Sequence, residues 1–277
     1  MMPPSYERVD YRVRPAKSIE RKMLCEAFVK LGKFCDLTEY KYVGFGSIFF
    51  SDFTLIHKFL GIKDLISIEE QEKDKKRFEF NCPYKFIELY FGHSNDVLPA
   101  LEWTKKLIIW LDYDKPLEER VLTDIGTFLL NAKSGSIILL TIDVDPCRLG
   151  SPGKERYNKF VDLIGEEKIP LDIEDKALEK LDKENFPREC RQIINNEIEE
   201  IILKKNGGIE EDDKLEYKQL FNFLYKDGSA QMLTVGGIIY SQKDKEKIQK
   251  CNFEGLDFIK SRSLSENLFC SGQKIRR

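Results

Sequence analysis

Acidic side chains follow two apolar runs in the middle of the chain, at positions that suit acid–base or metal chemistry. The apolar runs lie at 107–111 and 136–142. The polar residues that follow them are Asp112, Tyr113 and Asp114 after the first run, and Asp143 and Asp145 after the second. If both runs are parallel strands of one sheet, their carboxyl ends lie at the same edge, where α/β proteins bind ligands. We therefore expect these side chains to line a functional site.

Two chemical interpretations of this acidic edge stay open. In the first, Asp112 is a carboxylate that orients a substrate hydroxyl or accepts its proton, and Tyr113 and Asp114 belong to the same catalytic loop. In the second, Asp112 binds Mg²⁺ together with Asp143 and Asp145, because hard cations prefer oxygen ligands. Such a cation would lower the pKa of a substrate hydroxyl. The structural alternative is that these acids cap loops or form ion pairs.

A glycine-containing turn earlier in the chain has the character of a ligand-binding loop. It lies between a predicted strand at 40–44 and a predicted helix at 53–60. Its residues are Gly44, Phe45, Gly46 and Ser47. Glycine lets the backbone turn tightly and approach a ligand, with the N–H groups of the next helix behind it. Two glycines alone fit an ordinary tight turn equally well, so the neighbouring loops decide its meaning.

Polar residues also follow the next two predicted strands, at 64–69 and 86–91. They are Glu69 and Glu70 after the first strand, and Ser94, Asn95 and Asp96 after the second. A carboxylate at the end of the second strand can accept hydrogen bonds from ribose hydroxyls, although acids also suit the start of a helix. Asn95 or Asp96 could bind an adenine amino group or cap the following helix. Together the three loops predict a site for an adenosine-containing cofactor.

A regular alternation of predicted strands and helices positions these residues. The five strands of the alternation lie at 40–44, 64–69, 86–91, 107–111 and 136–142. Repeated β-α-β spacing predicts an α/β fold, with a Rossmann-like, mostly parallel sheet and helices on both faces. Two further strand-like runs, at 221–225 and 232–240, flank an Asp-Gly turn and predict a C-terminal antiparallel hairpin.

Four segments result from this interpretation. They are an N-terminal arm and helix at 1–38, a cofactor-binding core at 39–149 and 219–245, an insertion at 150–218, and a C-terminal tail at 246–277. The insertion is mostly helical in pattern and holds 13 basic against 19 acidic residues. Because it leaves the sheet beside the acidic edge, we expect a helical lobe that recognises a substrate or a partner.

The order of these loops resembles that of class I, Rossmann-like, S-adenosylmethionine-dependent methyltransferases, and among them the O-methyltransferase families. The shared features are the glycine turn, the acid after the second strand, the polar loop after the third and the late hairpin. The resemblance implies that Gly44 and Gly46 approach the methionine part of S-adenosylmethionine. It places the ribose at Glu69 or Glu70, and the adenine at the loop that follows the third strand.

The loop after the fourth strand refines the resemblance. Asp112-Tyr113-Asp114-Lys115 is similar to the Asp-Ala-Asp-Lys stretch of metal-dependent O-methyltransferases, which implies Mg²⁺ as a second cofactor. The (Asp/Asn)-Pro-Pro-(Tyr/Phe) motif of amino-methylating DNA enzymes is missing, which disfavours methylation of a base amine. The usual third glycine of the family's turn is also missing, because Ser47 follows Gly46 directly.

Composition bounds the remaining possibilities. With 277 residues, 42% of them hydrophobic, and a net charge of -3, the chain suits a large globular domain and disfavours a generally basic nucleic-acid binder. No run approaches the roughly 20 apolar residues of a membrane span. Seven cysteines without CxxC spacing indicate a reducing compartment. We therefore expect a soluble cytoplasmic protein without membrane contact.

The acceptor and the oligomeric state stay open at this point. A basic N-terminal stretch could contact phosphate or could simply be a solvated helix face. Its residues are Arg12, Arg14, Lys17, Arg21 and Lys22, near Tyr6 and Tyr11. A small molecule, a protein and an RNA all remain possible acceptors. The alternatives to a methyltransferase are a catalytically inert Rossmann-like module that binds a protein or nucleic-acid partner through its insertion, and another nucleotide-using α/β enzyme.

Overall fold

The computed structural model describes residues 14–169 and 181–259, and its elements alternate as the apolar runs predict. The strands are β1 (Tyr40–Gly44), β2 (Leu65–Glu69), β3 (Ile87–Phe91), β4 (Lys106–Asp112), β5 (Ile137–Asp143), β6 (Leu215–Asp227) and β7 (Ala230–Ser241). The α-helices are α1 (Pro15–Lys30), α2 (Ser51–Leu60), α3 (Lys75–Asn81), α4 (Ser94–Ala100), α5 (Glu119–Asn131), α6 (Lys154–Ile164), α7 (Asn185–Lys205) and α8 (Lys245–Cys251). None of the described helices is long and apolar enough to cross a membrane.

The strands form a single sheet whose order fixes the position of a crevice. That order is β3-β2-β1-β4-β5-β7-β6. Strands β1 to β5 are parallel, whereas β7 runs antiparallel to both β5 and β6. The chain builds outwards from β1 to β3 and then returns to place β4 on the other side of β1. At such a reversal the loops after the two strands diverge and leave a ligand-binding crevice at the carboxyl ends. The predicted α/β fold and its antiparallel hairpin are confirmed.

Helices cover both faces of the sheet, as predicted. One buried apolar cluster joins the sheet to α1, α2, α3 and α8, and a second joins it to α4, α5, α6 and α7. Successive side chains of a strand point to opposite faces. In β4, Trp110 belongs to the first cluster and Leu111 to the second. Asp112, two residues after Trp110, therefore lies on the face that α1 covers.

Part of the predicted insertion is core structure. Helix α7 buries one apolar face in the second cluster, through Phe186, Cys190, Ile193, Ile194 and Ile198. Strand β6 begins at Leu215, so the predicted boundary at 218 falls inside the hairpin. Charged residues such as Glu199, Glu200 and Lys204 are exposed on the other face of α7, as expected for an amphipathic helix, whereas Glu189 is buried. Residues 170–180 lie outside the described part, and a role of the remaining segment in substrate recognition stays a prediction.

The predicted C-terminal tail also begins as part of the core. Helix α8 packs Ile248 and Cys251 into the first cluster, and Phe253 and Ile259 beyond it are buried. The core therefore extends past the boundary predicted at 245. The sequence did not predict this extension because α8 is mostly charged or polar and holds few apolar residues. Residues 260–277 lie outside the described part.

Candidate functional site

The glycine turn after β1 is tightly packed against the protein itself. A Cβ atom on Gly44 would lie 2.9 Å from the Tyr42 hydroxyl and 3.0 Å from the Trp110 carbonyl oxygen. A Cβ atom on Gly46 would lie 2.9 Å from Glu69 Oε1. Both glycines are therefore required by neighbouring protein atoms, whether or not a ligand is present. A substitution such as Gly44→Val would disturb the sheet edge as well as any cofactor.

The turn follows its tight path without a third glycine. Ser47 and Phe50 adopt left-handed backbone conformations, with φ of 47° and 46°. The Phe50 N–H donates a hydrogen bond to the Gly46 carbonyl oxygen at 3.0 Å, and α2 begins at the next residue. Non-glycine residues seldom adopt this conformation, and such strain concentrates at functional sites. Phe45, at the tip of the turn, packs edge-to-face on Tyr113 with ring centroids 5.2 Å apart.

Glu69, the last residue of β2, points inward to the glycine turn. Its Oε1 atom accepts hydrogen bonds from the Gly46 N–H at 3.1 Å and from the Ser67 hydroxyl at 2.7 Å. Among the described residues, Oε2 has no hydrogen-bond partner. Only 6% of the residue is exposed. Burial raises the pKa of Glu69 to about 7, although the hydrogen bonds from Ser67 and Gly46 oppose the shift. Ser67 did not stand out in the sequence, because a serine inside an apolar strand carries no motif.

Glu70 points away from this pocket into solvent. Its carboxylate lies 3.3 Å from Nδ1 of His93, and both side chains are about half exposed. The Arg120 guanidinium approaches the same His93 nitrogen at 3.4 Å. The pair Glu69 and Glu70 therefore separates into one inward acid and one solvated acid. Only Glu69 has the position that the ribose interpretation requires.

The loop after β3 is tied to α5 by side chains. Asn95 donates hydrogen bonds from Nδ2 to Asp124 Oδ1 at 2.7 Å and to the Arg120 carbonyl oxygen at 2.9 Å. The buried Ser94 hydroxyl also bonds to Asp124. Asp96 is exposed in the first turn of α4. The N-cap of α4 is His93, which makes no side-chain cap, so the capping interpretation of the loop is wrong.

Asp124 connects this loop to the loop after β4, and sequence reasoning missed it. It is fully buried, and its Oδ2 atom accepts a hydrogen bond from the Tyr113 hydroxyl at 2.5 Å. Burial raises the pKa of Asp124 against the opposing effect of its hydrogen bonds. One feature of the sequence could have indicated that Asp124 is buried. It lies in the apolar stripe of α5, three residues after Val121 and four before Phe128. The Tyr113 hydroxyl is directed to α5, which gives a catalytic role of this residue no support.

Asp112 stands at the end of β4 with one oxygen bound and the other open. Its Oδ2 atom forms an ion pair with Lys17 Nζ of α1 at 2.8 Å. The side chain is 22% exposed, and Oδ1 has no hydrogen-bond partner among the described residues. Asp112 therefore has one carboxylate oxygen without a described partner, and its substrate-facing role stays a prediction. Asp114 is exposed on the loop that follows, and its position gives a catalytic role of this residue no support.

The three aspartates of the predicted Mg²⁺ site have other partners. Asp143 is 1% exposed; its Oδ2 accepts a hydrogen bond from Arg148 Nε at 2.7 Å, and its Oδ1 accepts one from the Asp145 N–H at 2.8 Å. Asp145 accepts a hydrogen bond from the Cys147 N–H at 3.0 Å and caps the turn at Pro146–Leu149. Asp112 pairs with a lysine. In residues 14–169 and 181–259 no group of three or more His, Cys, Asp or Glu side chains could hold a metal ion. The carboxylates proposed as Mg²⁺ ligands are therefore already used in loop capping and ion pairs, and a metal site is not supported.

The basic N-terminal cluster is largely internal. Lys17 and Arg21 are buried in ion pairs with Asp112 and Asp52, and Arg14 pairs with Asp227. Lys22 is exposed. Arg12, Tyr6 and Tyr11 lie outside the described residues. A phosphate-binding arm built from this cluster is therefore not supported, because its central cations are neutralised within the fold. These ion pairs could not be predicted from the sequence, because the partner acids lie on elements far away in the chain.

Comparison with known proteins agrees with this architecture. The model of a family described as "Putative O-methyltransferase" matches residues 9–268. None of the curated proteins matches the chain. Among solved structures, Trm1 from Pyrococcus horikoshii in complex with S-adenosyl-L-methionine is 13% identical, with 90% of this chain and 61% of that chain covered and a TM-score of 0.50.

Two further solved structures are similar at lower TM-scores. The O-methyltransferase from Bacillus cereus in complex with SAH is 12% identical, with 82% of each chain covered and a TM-score of 0.43. Cofactor-bound Rv0187 from MTB is 14% identical, with 84% of this chain and 82% of that chain covered and a TM-score of 0.43. At such identities a structural likeness concerns the fold alone. The family match spans nearly the whole chain, and the strand order with its late hairpin and the inward acid of β2 agree with it. The chain therefore belongs to this family of class I, S-adenosylmethionine-dependent methyltransferases.

Proposed function

We propose that the protein transfers a methyl group from S-adenosylmethionine to a hydroxyl oxygen of its acceptor. The observation that carries the proposal is the inward carboxylate of Glu69 at the carboxyl end of β2, beside the turn at Gly46. One of its oxygens braces the turn and the other has no described partner. That second oxygen remains able to accept a hydrogen bond, and the hydroxyls of a ribose are donors of the required kind. The residues present thus fit an adenosine-containing cofactor.

Three loops would hold the cofactor. Glu69 would accept hydrogen bonds from the ribose through Oε2. The loop after β3 would contact the adenine, and Asp96, which is exposed there, is its available polar group. Asn95 supports this loop from behind through Asp124. The glycine turn would contribute shape and not a free N–H, since the Gly46 N–H is already bonded to Glu69.

Asp112 would be the group that handles the acceptor's proton. S-adenosylmethionine supplies an electrophilic methyl carbon, and its sulfur keeps the electron pair of the bond that breaks. The acceptor oxygen forms the new bond to carbon, and its proton passes to Oδ1 of Asp112, the oxygen that has no described partner. A positioned carboxylate of this kind contributes typically 10²–10⁴-fold to the rate. Oxygen as the target is supported by the family description and by the absence of the (Asp/Asn)-Pro-Pro-(Tyr/Phe) motif after β4.

Cofactor affinity should depend on pH through Glu69. A ribose hydroxyl donates to a carboxylate better than to a protonated carboxyl, and the pKa of Glu69 is raised to about 7 by burial. We expect the affinity for S-adenosylhomocysteine to fall below about pH 7, by up to about tenfold per pH unit, the limit for linkage to one proton. Calorimetric titrations between about pH 5 and 8 would measure this.

The stability of the cofactor-free protein should depend on pH in the opposite direction to the cofactor affinity. A carboxyl with a raised pKa stabilises the fold at low pH, and this contribution is lost as pH rises through about 7. The contribution of Glu69 to stability thus falls over the range in which affinity rises. Glu69→Gln, which does not titrate, should bind weakly at every pH and show neither dependence. Equal pH dependence of binding in Glu69→Gln and wild type would contradict the assignment of the ribose to Glu69.

A further inference from the structure

A buried group of charges lies directly behind Asp112, and neither the cofactor loops nor the acceptor site described above accounts for it. Lys17 of α1 is 2% exposed, and its Nζ atom lies 2.8 Å from Asp112 Oδ2 and 2.8 Å from Glu20 Oε2. It also donates a hydrogen bond to the Tyr225 hydroxyl at 3.3 Å and lies 4.4 Å from the centre of the Trp110 ring. Lys17 therefore has its ammonium group surrounded by partners.

Glu20 is held just as firmly by the hairpin. It is 3% exposed, and its Oε2 atom accepts a hydrogen bond from the Tyr225 hydroxyl at 2.9 Å. Its Oε1 atom accepts one from the Thr234 hydroxyl, which lies 2.7 Å from Thr141 Oγ1. The indole N–H of Trp110 donates to Thr141 at 3.0 Å. A continuous polar chain thus links α1 to strands β4, β5, β6 and β7 beneath the crevice.

The charge balance of this group suits a proton acceptor. Lys17, Glu20 and Asp112 together carry one excess negative charge when all three are ionised. When Asp112 takes up a proton, Lys17 and Glu20 remain as a neutral pair. Without Glu20 the same proton would leave Lys17 as a buried, unpaired cation, which is strongly unfavourable. Because Glu20 stays paired with Lys17, Asp112 can take up a proton without leaving an unpaired charge in the interior.

Other charged and titratable groups surround this cluster. Arg21, on the next position of α1, pairs with Asp52 of α2 and so contributes little net charge. Tyr42 of β1 is buried, and burial raises its pKa, so it stays neutral. Burial disfavours the charge on Lys17, but Asp112 and Glu20 outweigh it and raise the pKa of the lysine. The ammonium therefore persists. Burial also raises the pKa of Glu20, although the neighbouring Lys17 opposes the shift.

We propose that Lys17 and Glu20 are positioning residues for Asp112. Lys17 binds Oδ2 and leaves Oδ1 directed to the acceptor, and Glu20 keeps Lys17 paired while Asp112 carries the acceptor's proton. Helix α1 is then part of the reaction centre. The inference rests on the proposed methyl transfer, in which Asp112 is the proton acceptor.

The test follows the titration of Asp112 by NMR in protein labelled with carboxyl-¹³C aspartate. The Asp112 signal is assigned by its loss in Asp112→Asn. Removal of the cation in Lys17→Met should raise the titration midpoint of Asp112 by at least about one pH unit, which is tenfold in its protonation equilibrium. Removal of the neighbouring negative charge in Glu20→Gln should lower the midpoint. Lys22→Met, an exposed position on the same helix, should leave it unchanged.

Opposite shifts in the two variants would support the positioning role, because a purely structural contribution would not change sign. Midpoints that move together, or not at all, would overturn it. Glu20→Gln is nearly isosteric, so its result stands even if Lys17→Met folds poorly. The measurement needs no cofactor and no acceptor. Failure of the protein to bind S-adenosylhomocysteine would overturn the proposed function, whereas an unresponsive Asp112 would overturn this inference alone.

Discussion

Asp112→Asn should reduce methyl transfer at least about 100-fold while the affinity for S-adenosylhomocysteine stays within about twofold of wild type. Asparagine keeps the shape of the side chain but cannot take the acceptor's proton, and it loses the ion pair with Lys17. Release of S-adenosylhomocysteine in the presence of hydroxyl-bearing acceptors would measure turnover. Calorimetry would measure cofactor binding.

Asp114→Asn is the matched control for this variant. Asp114 is exposed two residues further along the same loop, and its substitution removes the same charge. Turnover in Asp114→Asn should stay within about threefold of wild type, as is usual for exposed positions. An Asp112→Asn enzyme with full turnover would mean that Asp112 only organises the loop with α1.

Glu69→Ala should weaken the binding of S-adenosylhomocysteine by about 10- to 100-fold at neutral pH. The expected loss corresponds to a hydrogen bond to a charged group, about 1.5–3 kcal/mol. The variant also removes the brace that Glu69 gives to the Gly46 N–H, so circular dichroism and thermal unfolding should accompany the titration. Glu69→Gln keeps most of the side chain's shape, so it shows how much of the loss in affinity comes from the charge and how much from packing.

Glu70→Ala is the control here, because Glu70 is adjacent in sequence yet solvated. Its affinity for S-adenosylhomocysteine should stay within about twofold of wild type. If Glu70→Ala weakens binding and folded Glu69→Ala does not, the ribose lies on the outer side of the loop. The crevice assigned to the cofactor would then be wrong.

The fold was largely accessible from the sequence because its strands are continuous apolar runs. Strand β1 coincides with its predicted range, and β2 and β3 each begin one residue later than predicted. Strand β4 is one residue longer than predicted at each end, and β5 is shifted by one residue. The hairpin strands are longer than predicted, since their polar and apolar residues do not alternate cleanly. Helix α7 was assigned to an insertion because its charged face dominates its composition. Only its packing on α5 shows that it closes the second layer.

The candidate site was accessible only where a residue ends a strand. Glu69 and Asp112 stand out because each follows an apolar run, and a strand's carboxyl end has a defined place in this fold. Their partners could not be found in the same way. Lys17 meets Asp112, and Asn95 meets Asp124, through contacts between elements far apart in the chain. Asp143 also ends a strand, with Asp145 just beyond it, but there the sequence was misleading. Their carboxylates, which suggested a metal site, accept hydrogen bonds from backbone N–H groups of their own loop.

The central claim is that the crevice between β1, β2 and β4 binds S-adenosylmethionine. A thermal-shift comparison of S-adenosylmethionine, S-adenosylhomocysteine, NAD and ATP tests it most directly. A ligand that binds the folded state at about 100 times its dissociation constant stabilises the protein by about 2.7 kcal/mol. We expect such a shift with S-adenosylmethionine and S-adenosylhomocysteine, reduced in Glu69→Ala, and none with NAD or ATP. Stabilisation by NAD or ATP, with no response to either S-adenosyl compound, would contradict the account.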